Sequence, residues 1–190
     1  MAESIKLILL FSGKRKCGKD FLTAKLLERL GDNHVQIIRI SEPIKKSWAE
    51  KLNLDIQELL SDGPYKEKYR KDMIQWSDQV RREDPGFFCR EAMKRAEMPL
   101  IIVSDIRRKS DILWFQNEYG MDRLKSIRIY ADDSVRQARR WKFEKGVDDI
   151  QSECDLDDYF LWDMMCDNGD SSQTNHVLTE LCDFIQKHYN

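Results

Sequence analysis

The sequence predicts an α/β fold, a parallel five-stranded sheet with helices on both faces. Three observations carry that expectation. Short apolar runs of strand length recur along the chain, and longer segments with apolar residues at helical spacing lie between them. The runs are continuously apolar instead of alternating, the pattern of strands covered on both faces. Helices between successive strands favour parallel pairing, because each crossover returns the chain to the same end of the sheet.

The elements follow in order. The run from Ile5 to Phe11 is the first strand, and a glycine-containing loop follows it. Phe21, Leu22, Lys25, Leu26, Glu28, Arg29 and Leu30 then form a helix with one apolar side, closed by Gly31. Val35 to Ile40 is the second strand, and Pro43 opens a helix near its first turn. The segments around Ile56 and from Tyr65 to Arg82 are helical; in the latter, Tyr69, Met73, Trp76 and Val80 make a core stripe. Pro85 opens another helix. Pro99 to Val103 is the third strand, Ser110 to Tyr119 a helix stopped by Gly120, and Leu124 to Tyr130 the fourth strand. Met164-Met165-Cys166 is the middle of a fifth, and Thr174 to His188 a C-terminal helix. No repeat or linker divides the chain, so residues 1–190 read as one domain.

Composition narrows the function. With 41% hydrophobic and 10% aromatic residues the chain can build one good core, which excludes wholesale disorder. The apolar run Leu7 to Phe11 falls far short of the roughly 20 residues of a membrane helix. Met1 to Lys6 carries no basic leader region, so a soluble, cytoplasmic protein with no membrane partner is expected. Five cysteines without a Cys-x-x-Cys pair argue against a disulfide framework or a structural zinc site. Charge is unevenly spread: the first 145 residues hold 31 of the 32 basic groups against 23 acidic ones, an excess of eight. A basic body suits an anionic ligand and does not require nucleic acid; a small-molecule substrate and a monomeric chain are expected.

The strongest motif is Gly13-Lys14-Arg15-Lys16-Cys17-Gly18-Lys19-Asp20, Gly and four residues followed by Gly-Lys, between a buried strand and an amphipathic helix. Glycines let such a loop curl with its amides inward, the helix adds its positive end, and Lys19 reaches the β- and γ-phosphates of a nucleotide. Asp20 stands where Ser or Thr is usual; it either contacts Mg²⁺, directly or through water, or favours the helix's first turn. Lys14, Arg15, Lys16 and Lys19 give a density of charge that suits two phosphorylated substrates facing each other. Cys17, at a helix N-terminus among these cations, is expected to have a lowered thiol pKa and to react readily.

Further candidates lie downstream. Arg107 and Arg108 follow the third strand at the end where such sheets bind ligands, and Asp105, which ends that strand, can hold Mg²⁺ through water. Lys66, Arg70 and Arg81 share one helix edge over about 22 Å, so one phosphate cannot meet all three. Residues 132–158 read as a lid. In it Arg136, Arg139 and Arg140 are expected on one side of a helix next to Trp141, held by the acidic block Asp148 to Asp158 until ATP replaces it.

Several blocks resemble the animal-type phosphomevalonate kinases: the phosphate loop itself, Tyr65-Lys66-Glu67, Arg70-Lys71-Asp72-Met73-Ile74, Asp84-Pro85-Gly86-Phe87-Phe88-Cys89-Arg90, Val103-Ser104-Asp105 with Arg107-Arg108, and Gly146-Val147-Asp148-Asp149 with Ser152-Glu153-Cys154. The resemblance spans nearly the whole chain and departs at Cys17, where Ser is usual, and at Lys145, where Pro is. It implies a nucleoside-monophosphate-kinase-like fold with ATP and Mg²⁺ as partners. It also implies reversible conversion of 5-phosphomevalonate to 5-diphosphomevalonate and ADP, in isoprenoid and sterol biosynthesis. Arg107 and Arg108 would then face the acceptor, and Asn168 would border the nucleotide base. Such an acceptor, with a second phosphate pKa near about 6, needs no general base. His34, His176 and His188 accordingly lie outside every motif. A nucleoside monophosphate kinase would share fold and loop. A GTP-dependent switch protein would need the Asn-Lys-x-Asp and Asp-x-x-Gly motifs that the chain lacks.

Overall fold

The computed structural model describes residues 5–61 and 63–189; Met1 to Ser4, read above as part of a leaderless N-terminus, lie outside them. Its strands are β1 (Leu7–Ser12), β2 (Val35–Ile38), β3 (Leu100–Ile106), β4 (Leu124–Tyr130) and β5 (Met164–Asp167). They form one sheet of order β2-β3-β1-β4-β5 in which every pairing is parallel.

Strand β1 explains its own apolar sequence. Successive side chains of a strand point to opposite faces. Leu7, Leu9 and Phe11 join one core with Leu22 and Leu26 of α1 (Lys19–Leu30) and Leu178 and Leu181 of α9 (Thr174–His188). Ile8 and Leu10 join the other, with Phe88 and Ala92 of α5 (Phe87–Met93) and Ile112 and Phe115 of α6 (Lys109–Tyr119). Burying each large side chain contributes about 1.5–3 kcal/mol, which a helix on only one face would halve for the strand.

Helices α2 (Ser41–Leu52), α3 (Ile56–Leu60) and α4 (Pro64–Glu83) build an arm beside the sheet. The predicted stripe on α4 serves two cores. Met73 packs with Trp48, Ala49 and Leu59, Val80 packs on the sheet's own core, and Trp76 touches both. The second strand is shorter than expected, because the amides of Ile40 and Ser41 turn away to donate to Asp105 and start α2.

The strand order places the site. From β1 the chain crosses toward β2, and from β3 it crosses the other way toward β4, although β1 and β3 are neighbours. Connections that leave adjacent strands in opposite directions open a crevice at the strands' C-terminal ends. Among the described residues no helix is long and apolar enough to cross a membrane.

Candidate active site

The phosphate loop joins β1 to α1 across that crevice. Gly18 has φ 90°, and a Cβ there would lie 2.1 Å from Asn168 Nδ2. Gly13 is needed for a different reason, since its Cβ would come within 2.6 Å of both Cys17 Sγ and the Ile129 carbonyl. Lys16 also takes a left-handed conformation, φ 62°, at a steric cost of about 1–2 kcal/mol. The loop's end is fastened from outside: the Cys17 carbonyl accepts hydrogen bonds from Asn168 Nδ2 and from Arg139, both at 2.9 Å. Lys19 is the first residue of α1, its side chain is 5% exposed, and its Nζ donates to Asp20 Oδ1 at 2.7 Å. Partial desolvation in the cleft pushes the Asp20 carboxyl up, but the cations around it, Lys19 first and then Arg107 and Arg39, outweigh that and hold its pKa below the usual carboxylate range.

A cleft of about 620 Å³ opens between this loop, the ends of β2 and β3, and α4. Lys19, Asp20, Asp105, Arg107 and Arg108 line its sheet side, and Lys66, Arg70 and Arg81 its arm side. Arg39, which follows β2, lines it too. The sequence reading passed over Arg39 because it ran the second strand to Ile40; with β2 ending at Ile38, the strand-end rule that picks out Arg107 reaches Arg39 too. Each cleft arginine of known contact has an acid at hand. Arg70 donates to Glu67 at 2.6 and 2.5 Å, Arg81 stands 3.6 Å from Asp111, Arg108 pairs with Asp78, and Arg107 pairs with Glu153.

Among the described residues no group of three or more His, Cys, Asp or Glu side chains is placed to hold a metal by itself. Mg²⁺ asks for less, commonly one or two carboxylates with substrate phosphates and waters completing its shell. Asp20 and Asp105 on one wall of the cleft fit that demand in donor type and number. Both Asp105 oxygens already accept backbone amides, at 2.7 Å from Ile40 and 2.9 Å from Ser41, which suits contact through water.

The geometry fits a family found by comparison. A sequence model of the phosphomevalonate kinase family matches residues 11–121, from the end of β1 to the turn after α6. The phosphomevalonate kinase of Drosophila melanogaster is 56% identical over 155 residues, covering 80% of this chain and 82% of that protein. This chain belongs to the phosphomevalonate kinase family. A solved protein of Thermus thermophilus shares the fold at TM-score 0.55 and 13% identity, covering 98% of this chain and 100% of that one. The shikimate kinase of Acinetobacter baumannii, solved with shikimate, does so at TM-score 0.52 and 12% identity, covering 99% and 97%. At such identities the likeness extends to the fold alone.

Within this phosphomevalonate kinase fold, residues 132–158 differ from their sequence reading. Helix α7 (Asp133–Ala138) ends after 6 residues, Arg139 is its C-cap, and Arg140 turns to φ 66°. The three arginines therefore do not share a helix side. Arg136 donates to the Arg15 carbonyl at 2.9 Å and stacks its guanidinium 3.8 Å from the Trp141 ring centre. Arg139 donates to the Asn168 carbonyl at 2.6 Å as well as to Cys17. Arg140 is exposed. The Arg15, Cys17 and Asn168 carbonyls, with Asp133 at 2.7 Å from Arg136, thus take up the two inward arginines in place of the block Asp148 to Asp158.

The acidic block pairs instead with cations of the loop and the cleft. The turn α8 (Gln151–Cys154) delivers Glu153, which accepts from the Arg15 amide at 2.7 Å as well as from Arg107. Asp148 pairs with Arg15 at 3.1 Å, and Asp157 with Lys14 at 2.7 Å and Arg128 at 3.3 Å. Arg128, on β4, also donates to Ser12 Oγ at 2.8 Å; no motif marks it, and the sequence reading missed it. Cys17 also departs from its expected chemistry. Its side chain turns inward, the residue is 1% exposed, and burial pushes the thiol pKa up against the pull of Lys19, Arg107 and Arg128. Burial disfavours the charged thiolate, and here that effect outweighs the cations that favour it.

Proposed function

We propose that this chain transfers the γ-phosphoryl group of ATP to 5-phosphomevalonate, giving 5-diphosphomevalonate and ADP. The observation that carries it is the pairing of two opposed cationic walls in one cleft. Lys19, which follows the phosphate loop, stands on one side, and Lys66, Arg70 and Arg81 on the other, with Arg107 and Arg108 at the strand ends between them. Family membership supplies the acceptor. ATP brings the transferable group, and Mg²⁺ held at Asp20 and Asp105 would neutralise part of its charge. The protein's share is placement and electrostatics. Phosphoryl transfer has a loose transition state with charge spread over the equatorial oxygens, so fixed cations in a water-poor cleft are the main catalytic resource. In this reading Lys19, Arg107 and Arg139 are the catalytic cations. Gly13 to Asp20, Arg136 and Asn168 hold the nucleotide; Lys16, Lys66, Arg70, Arg81, Arg107 and Arg108 hold the acceptor.

The whole chain acts as one kinase domain, with residues 132–158 as the lid. That segment already ties the phosphate loop to Arg136, Arg139 and Glu153, so a change of its contacts reaches the loop directly. The chain's five free thiols fit a reducing compartment such as the cytoplasm, where it acts as a monomer in this reading. Coupled ADP release measured with 5-phosphomevalonate, AMP, GMP, UMP and dTMP tests the proposal. Turnover with the mevalonate phosphate alone is expected; turnover on a nucleoside monophosphate in its place would make this a nucleotide kinase.

A further inference from the structure

Helix α4 and the start of α6 are joined by a crossed double ion pair. Asp78 and Arg81 lie three residues apart on α4; Arg108 and Asp111 lie three apart where β3 passes into α6. Each helix offers one acid and one base, and the pairs cross: Arg108 with Asp78, Arg81 with Asp111. Both arginines line the cleft. The sequence marks neither acid, and neither touches the phosphate loop.

The two pairs are built differently. Asp111 is 1% exposed and Arg81 is 11% exposed. Asp111 is further enclosed by the Cys89 thiol at 3.6 Å and the Arg107 amide at 3.5 Å, while Arg81 lies 4.9 Å from the Phe88 ring centre. Arg108 is likewise 6% exposed, but its partner Asp78 is 28% exposed and open to water. An acid sealed among protein groups cannot give up its partner without leaving a buried charge unpaired, whereas an acid that water reaches can be resolvated as its partner leaves.

We propose that Asp78 and Asp111 are positioning residues that divide the labour of the two cleft arginines. Asp111 locks Arg81, and with it the Arg107 backbone, in one place. Asp78 holds Arg108 in reserve and yields it to the anionic group of the acceptor. This rests on the reading of the cleft as the phosphorylated-acceptor site. On that basis Asp78 competes with the acceptor for Arg108 and sets its affinity, while ATP, bound at the loop, is indifferent to both acids.

The test uses the full chain, first establishing which acceptor wild type turns over, so that a wrong acceptor and a wrong role for Asp78 are told apart. Asp78→Asn is then compared with wild type on that acceptor. It is expected to melt at a lower temperature when empty, because Arg108 loses its partner. It is also expected to lower the acceptor KM about 3–10-fold, the net scale of one ordinary hydrogen bond, and to leave the ATP KM in place. The thermal shift on adding acceptor should exceed the wild-type shift, and Asp78→Glu should return the KM toward wild type. Asp111→Asn should instead raise the acceptor KM at least ~10-fold. An acceptor KM for Asp78→Asn equal to or above wild type overturns the proposal, whether or not Asp111→Asn folds. So does a folded Asp111→Asn with the wild-type acceptor KM.

Discussion

Removing the Lys19 ammonium separates catalysis from stability more cleanly than any other change to this site. The Lys19 side chain is 5% exposed, so its charge acts in a poorly screened place, and Lys19→Met keeps the stem while deleting the charge. Losing one fixed donor aimed at developing charge costs about 2.7–4 kcal/mol of transition-state stabilisation, or about 10²–10³ in turnover. The fold loses far less. The ammonium's partner, Asp20, is 73% exposed and stays solvated when left alone. A pair with one open end is worth at most about 1 kcal/mol, a shift of roughly 2–4 °C in melting temperature for a chain of this length. Coupled ADP release at saturating ATP and acceptor gives kcat, and calorimetry gives the melting temperature. Turnover should fall at least ~10²-fold while the melting temperature moves by no more than about 4 °C. A Lys19→Met protein that melts like wild type and turns over at near its rate would refute the assignment of Lys19 to the transferring phosphate.

Other consequences follow from the contacts around the loop. Arg139→Gln should slow turnover by about tenfold or more, and a protein retaining Trp141 as its single tryptophan should change fluorescence when both substrates bind; a flat signal with full Arg139→Gln activity would remove residues 132–158 as the lid. Glu153→Gln withdraws a carboxylate from the Arg15 amide and Arg107, so the ATP KM should fall about 3–10-fold; an unchanged or higher KM in steady-state titrations would mean that Glu153 supports the nucleotide site and does not compete with it. Iodoacetamide followed by mass spectrometry should modify the half-buried Cys154 and Cys182 before the buried Cys17, Cys89 and Cys166; first modification at Cys17 would contradict its enclosure.

The sequence alone determined what depends on neighbours along the chain. The continuous burial of β1, the helix closed by Gly31, the α4 stripe and the curl between Gly13 and Gly18 all rest on periods and turns a few residues long. Such patterns survive in any tertiary setting that buries them. Arg107 and Arg108 were legible for a related reason, since a strand's C-terminal end in a parallel α/β sheet is a predictable ligand edge. What only the tertiary structure decided are the pairings across long stretches of chain. Glu153 meets the Arg15 amide across 138 residues, Arg139 meets the Cys17 carbonyl across 122, and Arg108 meets Asp78 across 30. The acidic block was visible as charge, but charge carries no address. Its carboxylates went to the loop cations because the β4–β5 connection passes over the loop, and Arg139 went to carbonyls because α7 stops after Ala138. Cys17 shows the same division. Its neighbours in sequence promised a thiolate, and the packing of β1 against β4 and α1, which no local pattern encodes, enclosed the sulfur and reversed the sign of its shift.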